Sequence, residues 1–228
     1  MEIYYSRTLA LMEALSIDSH LFLNRLSFAE KGNFLKIETE PIWGEKKLTR
    51  LNHKRLNEIF SIEQEKYFLR DNIYYVKEIR KIEISQSKIR SIILNKPFSD
   101  LLKIKFVLNP FVSTYESDWK WIVRHSYTEV FNLKNILDVN EKDYYFLFKR
   151  TGVYDSSLGT NILEFPLSDC SYFLLRLFES PNSLMKASAR FLRQFELVPE
   201  DEKKQIQSLT ESLITELMFR MFIIPYQD

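Results

Sequence analysis

Apolar positions recur along this chain with two periods, and each period predicts its own elements. From Arg7 to Leu26, Met12, Leu15, Phe22 and Leu26 fall at helical spacing, which predicts one or two amphipathic helices with Asp18-Ser19 as a break. Phe34-Leu35-Lys36-Ile37-Glu38 alternates between Gly32 and Pro41 and predicts a strand. His53 to Phe60 predicts a helix. Glu63 to Ile84 reads both ways: its charges suit a surface helix, whereas Ile73-Tyr74-Tyr75-Val76 and Ile82-Glu83-Ile84 suit strands. Pro97 opens a predicted short helix running to Val107.

The second half is more sharply punctuated. Asn109-Pro110 breaks the chain, and Tyr144 to Arg150 predicts a buried strand. Thr151-Gly152 through Leu158-Gly159 supplies turn residues, and Asn161 to Pro166 predicts the returning strand. Ser168 is a good N-cap for a helix through Phe178, stopped by Ser180-Pro181. Ser183 caps the next, with Leu184, Ala187, Phe191 and Phe195 on one face. Pro199 at a first helical position is followed by Glu200, Asp201 and Glu202, charges favoured at the positive end of a helix. Ile206, Leu209, Leu213, Leu217 and Met221 form the expected stripe of a long last helix. The fold class expected is α+β. A mostly helical or mixed region fills residues 1–108, and a compact winged-helix-like unit, a hairpin plus helices, fills 109–228.

Composition narrows the chemistry. With 228 residues, 45% hydrophobic and 28% charged, the chain is of ordinary globular make-up. Its four glycines, Gly32, Gly44, Gly152 and Gly159, fit neither the dinucleotide fingerprint, nor the phosphate loop, nor the nucleophile elbow, each of which needs glycines at fixed offsets. Cys170 is the single cysteine, so no intrachain disulfide forms. Met1 to Arg7 lacks a basic stretch followed by an apolar one, and no uncharged apolar run approaches the ~18–20 residues of a membrane span, so a cytoplasmic chain without membrane contact is expected. Net charge is +1, but ten Lys and five Arg against five Glu and two Asp give residues 46–105 a balance of +8, leaving −7 for the rest. That segment is either a basic surface for an acidic partner or a solvated face whose charges are interspersed.

Candidate chemistry is sparse. His20, His53 and His125 are isolated in sequence, and no metal or cofactor is expected in this chain. Cys170 lies near a helix start, where it reads either as a nucleophile served by His125 or as a small buried hydrophobe beside Phe173, Leu174 and Leu177. Trp119 and Trp121 flank Lys120, with Arg124 beyond, a pattern that suits base stacking or simply buried indoles.

One series of residues goes further. Asn109-Pro110 is followed by Asp118-Trp119-Lys120-Trp121, then the strand Phe146 to Arg150, then Leu167-Ser168-Asp169 opening Tyr172 to Glu179, then Ser183-Leu184-Met185-Lys186-Ala187. Across residues 109–195 this order resembles the C-terminal half of the small partner proteins encoded beside non-haem iron enzymes of the DUF692 family. Lys186-Ala187 stands where those partners commonly carry an acid-Ala pair. The opening, Arg7 to Leu11 and Ser19 to Leu23, is similar to the methanobactin-biosynthesis, MbnC-like branch.

The resemblance implies a subunit without catalytic residues of its own. Such a subunit pairs with an MbnB-like, DUF692-type iron protein and recognises the leader of a precursor peptide (MbnA-like). The pair oxidises cysteines of that peptide to oxazolone and thioamide groups in making a copper chelator. Iron belongs to the partner. On this implication the 109–228 unit binds peptide and partner. An extended leader is expected to add as a strand along Tyr144 to Arg150, with contacts at Tyr145, Leu147, Lys149, Arg150, Ile162 and Glu164. Trp119, Trp121 and Arg124 are the expected contacts to the iron subunit. The alternative is a winged-helix-like nucleic-acid-binding regulator. Against it, the last helices are acid-rich at Glu196, Glu200, Asp201 and Glu202, where a phosphate-facing helix normally offers Lys or Arg.

Overall fold

Capping residues and prolines set many of the boundaries in the computed structural model, which describes residues 5–20, 49–70, 76–121, 143–155, 160–195 and 199–226. Phe34 to Glu38, Arg124 and His125 lie outside the described residues. Among those described, the chain is α+β, with seven α-helices and two three-stranded sheets. In order these are α1 (Ser6–Ala14), α2 (Arg50–Arg70), α3 (Val76–Leu94), α4 (Phe98–Leu101), β1 (Lys105–Leu108) and β2 (Val112–Ser117). They continue with β3 (Tyr144–Asp155), β4 (Thr160–Leu167), α5 (Asp169–Arg176), β5 (Asn182–Ser183), α6 (Leu184–Leu192), α7 (Glu200–Phe219) and β6 (Ile223–Pro225). One sheet has the order β5-β1-β6 and the other β2-β3-β4.

Two compact units result: Met1–Asn72 with Ser117–Asp143, and Ile73–Glu116 with Tyr144–Asp228. The cut after residue 108 expected from sequence falls inside the second unit. In the first, Leu11 and Met12 of α1 are fully buried, as are Leu56, Ile59 and Ile62 of α2, and Tyr5 stacks on Phe60 at 5.6 Å. Tyr5, at the N-cap of α1, offers no side-chain cap. Glu63 of α2 replaces it, accepting from the Arg7 amide at 2.8 Å, the Thr8 amide at 3.0 Å and Thr8 Oγ1 at 2.6 Å. Anionic groups suit that positive helix end, but burial holds the Glu63 carboxyl above its ordinary range.

The second unit is built on the hairpin. β3 and β4 pair antiparallel from Tyr145↔Leu167 to Arg150↔Ile162. Ser168 caps α5 by accepting from the Ser171 amide at 3.2 Å, and Ser183 caps α6 by accepting from the Lys186 amide at 3.3 Å, as the sequence predicts. Leu184, Ala187 and Phe191 of α6 are buried, with Phe195 packed beside them. Leu147, Leu174, Phe178, Ile214 and Phe222 join them in one core.

Three expectations need correction. The helix opened by Pro97 ends at Leu101, because Lys105 to Leu108 extends between β5 and β6. The stretch from Glu63 to Ile84 is helical where it is described, so the strand reading fails for Ile82-Glu83-Ile84, while Ile73 to Tyr75 of the other strand candidate lie outside the described residues. The stripe of α7 is rotated: Leu209 is exposed while Thr210 and Ile214 are buried. The Thr210 hydroxyl donates to the Ile206 carbonyl at 2.7 Å, which lets a polar residue occupy the core position.

Candidate docking surface

Helix α7 runs into β6 through a turn that the sequence does not announce. Met221 adopts φ 56°, a left-handed conformation that favours glycine. The Phe222 amide returns to the Leu217 carbonyl at 2.9 Å and the Met221 amide to Met218 at 3.0 Å, a complete Schellman closure with methionine at the glycine position. Three side chains from three other segments then donate to successive carbonyls. Arg90 Nη1 reaches Phe219 at 2.8 Å, Lys149 Nζ reaches Arg220 at 2.7 Å, and Asn109 Nδ2 reaches Met221 at 2.8 Å. Cations suit this negative helix end. Asn109 is itself fixed: its Oδ1 accepts from the Phe111 amide at 3.0 Å and its Nδ2 also approaches Gln86 Oε1 at 3.3 Å.

Lys149 is buried on the central strand, and its ammonium lies over the Phe222 ring. Burial lowers its pKa to about 8; Glu83 opposes that shift and Arg90 adds to it. The guanidinium of Arg90 lies over the Phe219 ring, 5.3 Å from its centroid.

Beside this end of α7 lies a shallow depression. Gln86, Arg90 and Ile93 of α3 form one wall, and Met218, Met221 and the β6 residues Ile223 to Pro225 form the other, with Phe106 between. Two methionines make an adaptable lining. Phe219 is 59% exposed and Tyr226, next after Pro225, is 41% exposed. On α3, Ile92 is 63% and Ile84 52% exposed. Scattered exposed apolar residues are ordinary, but aromatics at the rim of an apolar depression have the make-up of an interaction surface.

The residues singled out from sequence do other work. A strand cannot add along Tyr144 to Arg150, because β3 is the central strand: β4 pairs with one side and β2 with the other. Leu147 and Ile162 are core residues, Lys149 and Arg150 are buried, and Glu164 is half-buried opposite Phe148. Tyr145 stacks on Tyr172 at 4.2 Å, and the Tyr172 hydroxyl donates to Glu116 at 2.5 Å and accepts from Arg176 at 2.9 Å. Trp119 and Trp121 are buried edge to face, 6.1 Å apart, so neither is a surface anchor. Glu58 holds Trp121 and the turn before it: it accepts from Trp121 Nε1 at 2.9 Å, from the Asp118 amide at 3.0 Å and from the Ser117 hydroxyl. Burial raises the Glu58 carboxyl even so. Cys170 is half-buried against the core of the second unit.

Sequence reasoning missed Arg90 and Phe219 altogether and gave Asn109 only within Asn109-Pro110, as a chain break and as the opening of the resemblance. The available signal was weak: Phe219 stands off the apolar stripe of α7, and nothing local pairs it with a cation on α3. Among the described residues, no three His, Cys, Asp or Glu side chains converge as a metal-binding group, and no helix is long and apolar enough to cross a membrane. No protein-family model, curated protein or solved structure matches the chain.

Proposed function

We propose that the chain is a non-catalytic partner subunit, which docks on a larger enzyme through the α3–α7–β6 end of its second unit. The observation that carries this reading is the exposure of Phe219 and Tyr226 around the apolar depression. Covering such aromatics gains about 25 cal/mol per Å² of apolar surface. The buried polar groups serve structure: Glu63 caps α1, Glu58 clamps Trp121, and Lys149 and Asn109 cap the end of α7. The resemblance over residues 109–195 supplies the partner's identity: a DUF692-type, MbnB-like iron oxygenase. The proposed joint task is to take up a ribosomal precursor peptide by its leader and oxidise its cysteines to oxazolone and thioamide groups, as in methanobactin-type copper chelators. Iron is the partner's contribution.

The test is co-expression with such an iron enzyme, followed by size-exclusion chromatography with light scattering. The expected result is a 1:1 complex that Phe219→Asp dissociates while the variant keeps its native circular dichroism. Separate elution of the two wild-type chains at micromolar concentration overturns the reading.

A further inference from the structure

The chemistry of the partner's contacting segment follows from Arg90, and this inference rests on the docking reading above. Arg90 gives Nη1 to the Phe219 carbonyl and Nη2 to Ser87 Oγ at 3.2 Å, while its guanidinium covers the Phe219 ring. Among the described residues it forms no ion pair. A surface that covers Phe219 therefore covers Arg90 as well. Taking a guanidinium out of water without an anion carries a large desolvation penalty, which a paired carboxylate offsets.

We propose that the segment docking here is acidic and apolar: it sets an Asp or Glu carboxylate against Arg90 and apolar side chains against Phe219 and the depression. The surroundings are positive on balance: of the charged residues of α3 only Arg90 lines the depression, and Glu83 opposes the cation of Lys149. Lys149 adds a buried cation at the same end of α7, and Lys105 stands across from Tyr226, whose amide donates to the Lys105 carbonyl at 2.9 Å. A second copy of this chain docked by the same surface would bring two such basic ends together, a like-charge arrangement that is penalised. A nucleic-acid backbone answers the charge but leaves Phe219 and the two methionines without an apolar complement.

A random peptide-display library selected on the full chain tests this directly. Recovered peptides should carry Asp or Glu beside Leu, Ile, Phe or Trp. Arg90→Gln keeps a donor for the Phe219 carbonyl and removes the charge, and it should weaken their binding by roughly tenfold or more. Phe219→Ser, which leaves Arg90 in place, should weaken it as well. Basic or charge-free consensus peptides, or full affinity in Arg90→Gln, overturn the proposal. The same variant separates this claim from the docking reading. An iron-enzyme complex unaffected by Arg90→Gln sinks the acidic segment and leaves the docking reading standing. Selection of acidic peptides without any such complex does the reverse.

Discussion

Glu63 shows how one side chain can hold an element that its own sequence does not cap. Its carboxylate is the shared acceptor for two amides and a hydroxyl at the start of α1. Glu63→Ala leaves those buried or half-buried donors without it, so we expect a loss of about 2–3 kcal/mol in denaturant unfolding. Lys149 acts in the opposite sense. Its folded pKa is about 8 against an ordinary 10.5, so above about pH 8 the folded protein releases a proton that the unfolded chain still holds. Unfolding free energy therefore rises with pH between about 8 and 10.5, by up to roughly 3 kcal/mol from this group alone. Below that window the penalty of the buried ammonium is present in full. Comparing wild type with Lys149→Met across the window isolates the effect: the rise should be absent from the variant, and parallel curves would refute the assignment. Ser16, at φ 55° just past α1, spends a left-handed position on a non-glycine residue. Ser16→Gly should raise stability by about 0.5–1 kcal/mol, since relief of the backbone outweighs the added freedom of the unfolded chain.

At the scale of elements, what was legible was what is local. Ser168 and Ser183 cap helices with hydrogen bonds three residues long, and the sequence places both. Replacing either with Ala should lower the unfolding free energy by about 1 kcal/mol, a thermal-melt difference that would be missing if the caps were incidental. The hairpin was legible too, because β3 and β4 are adjacent and strongly apolar. β2 was not, and its absence from the reading made β3 look like an edge. Val112 to Ser117 mixes polar and apolar residues, and its partner strand begins 27 positions after Ser117. The β5-β1-β6 sheet was invisible for a related reason: strands of two to four residues carry no period, and their register is set by chain segments far apart. In α7 the helix was evident but its face was not, because the buried Thr210 is recognisable only once its hydroxyl is seen to bond Ile206. The candidate site was the least legible part, since Arg90, Asn109 and Lys149 meet only through the tertiary fold.

At the scale of the whole molecule, the second unit brings a cation and exposed aromatics together at the end of α7. The basic excess read from residues 46–105 includes α3, and α3 brings its Arg90 onto the exposed Phe219. Around that pair the end of α7 is over-determined by three donated hydrogen bonds, a Schellman closure and the pairing of β6 with β1. A rigid, pre-formed surface loses little conformational freedom on binding, which favours docking without rearrangement. A dedicated subunit should bury about 1,200–2,000 Å² in total, far more than the depression itself, so α3 and β6 must be covered together. Amide hydrogen exchange of the chain, alone and with a DUF692-type iron enzyme, reads this most directly. The account predicts that complex formation protects the stretch from Ile84 to Ile92 and the stretch from Phe219 to Tyr226 together, while α1 and α2 of the first unit exchange as before. A stable complex in which both stretches exchange as fast as in the free chain would contradict it.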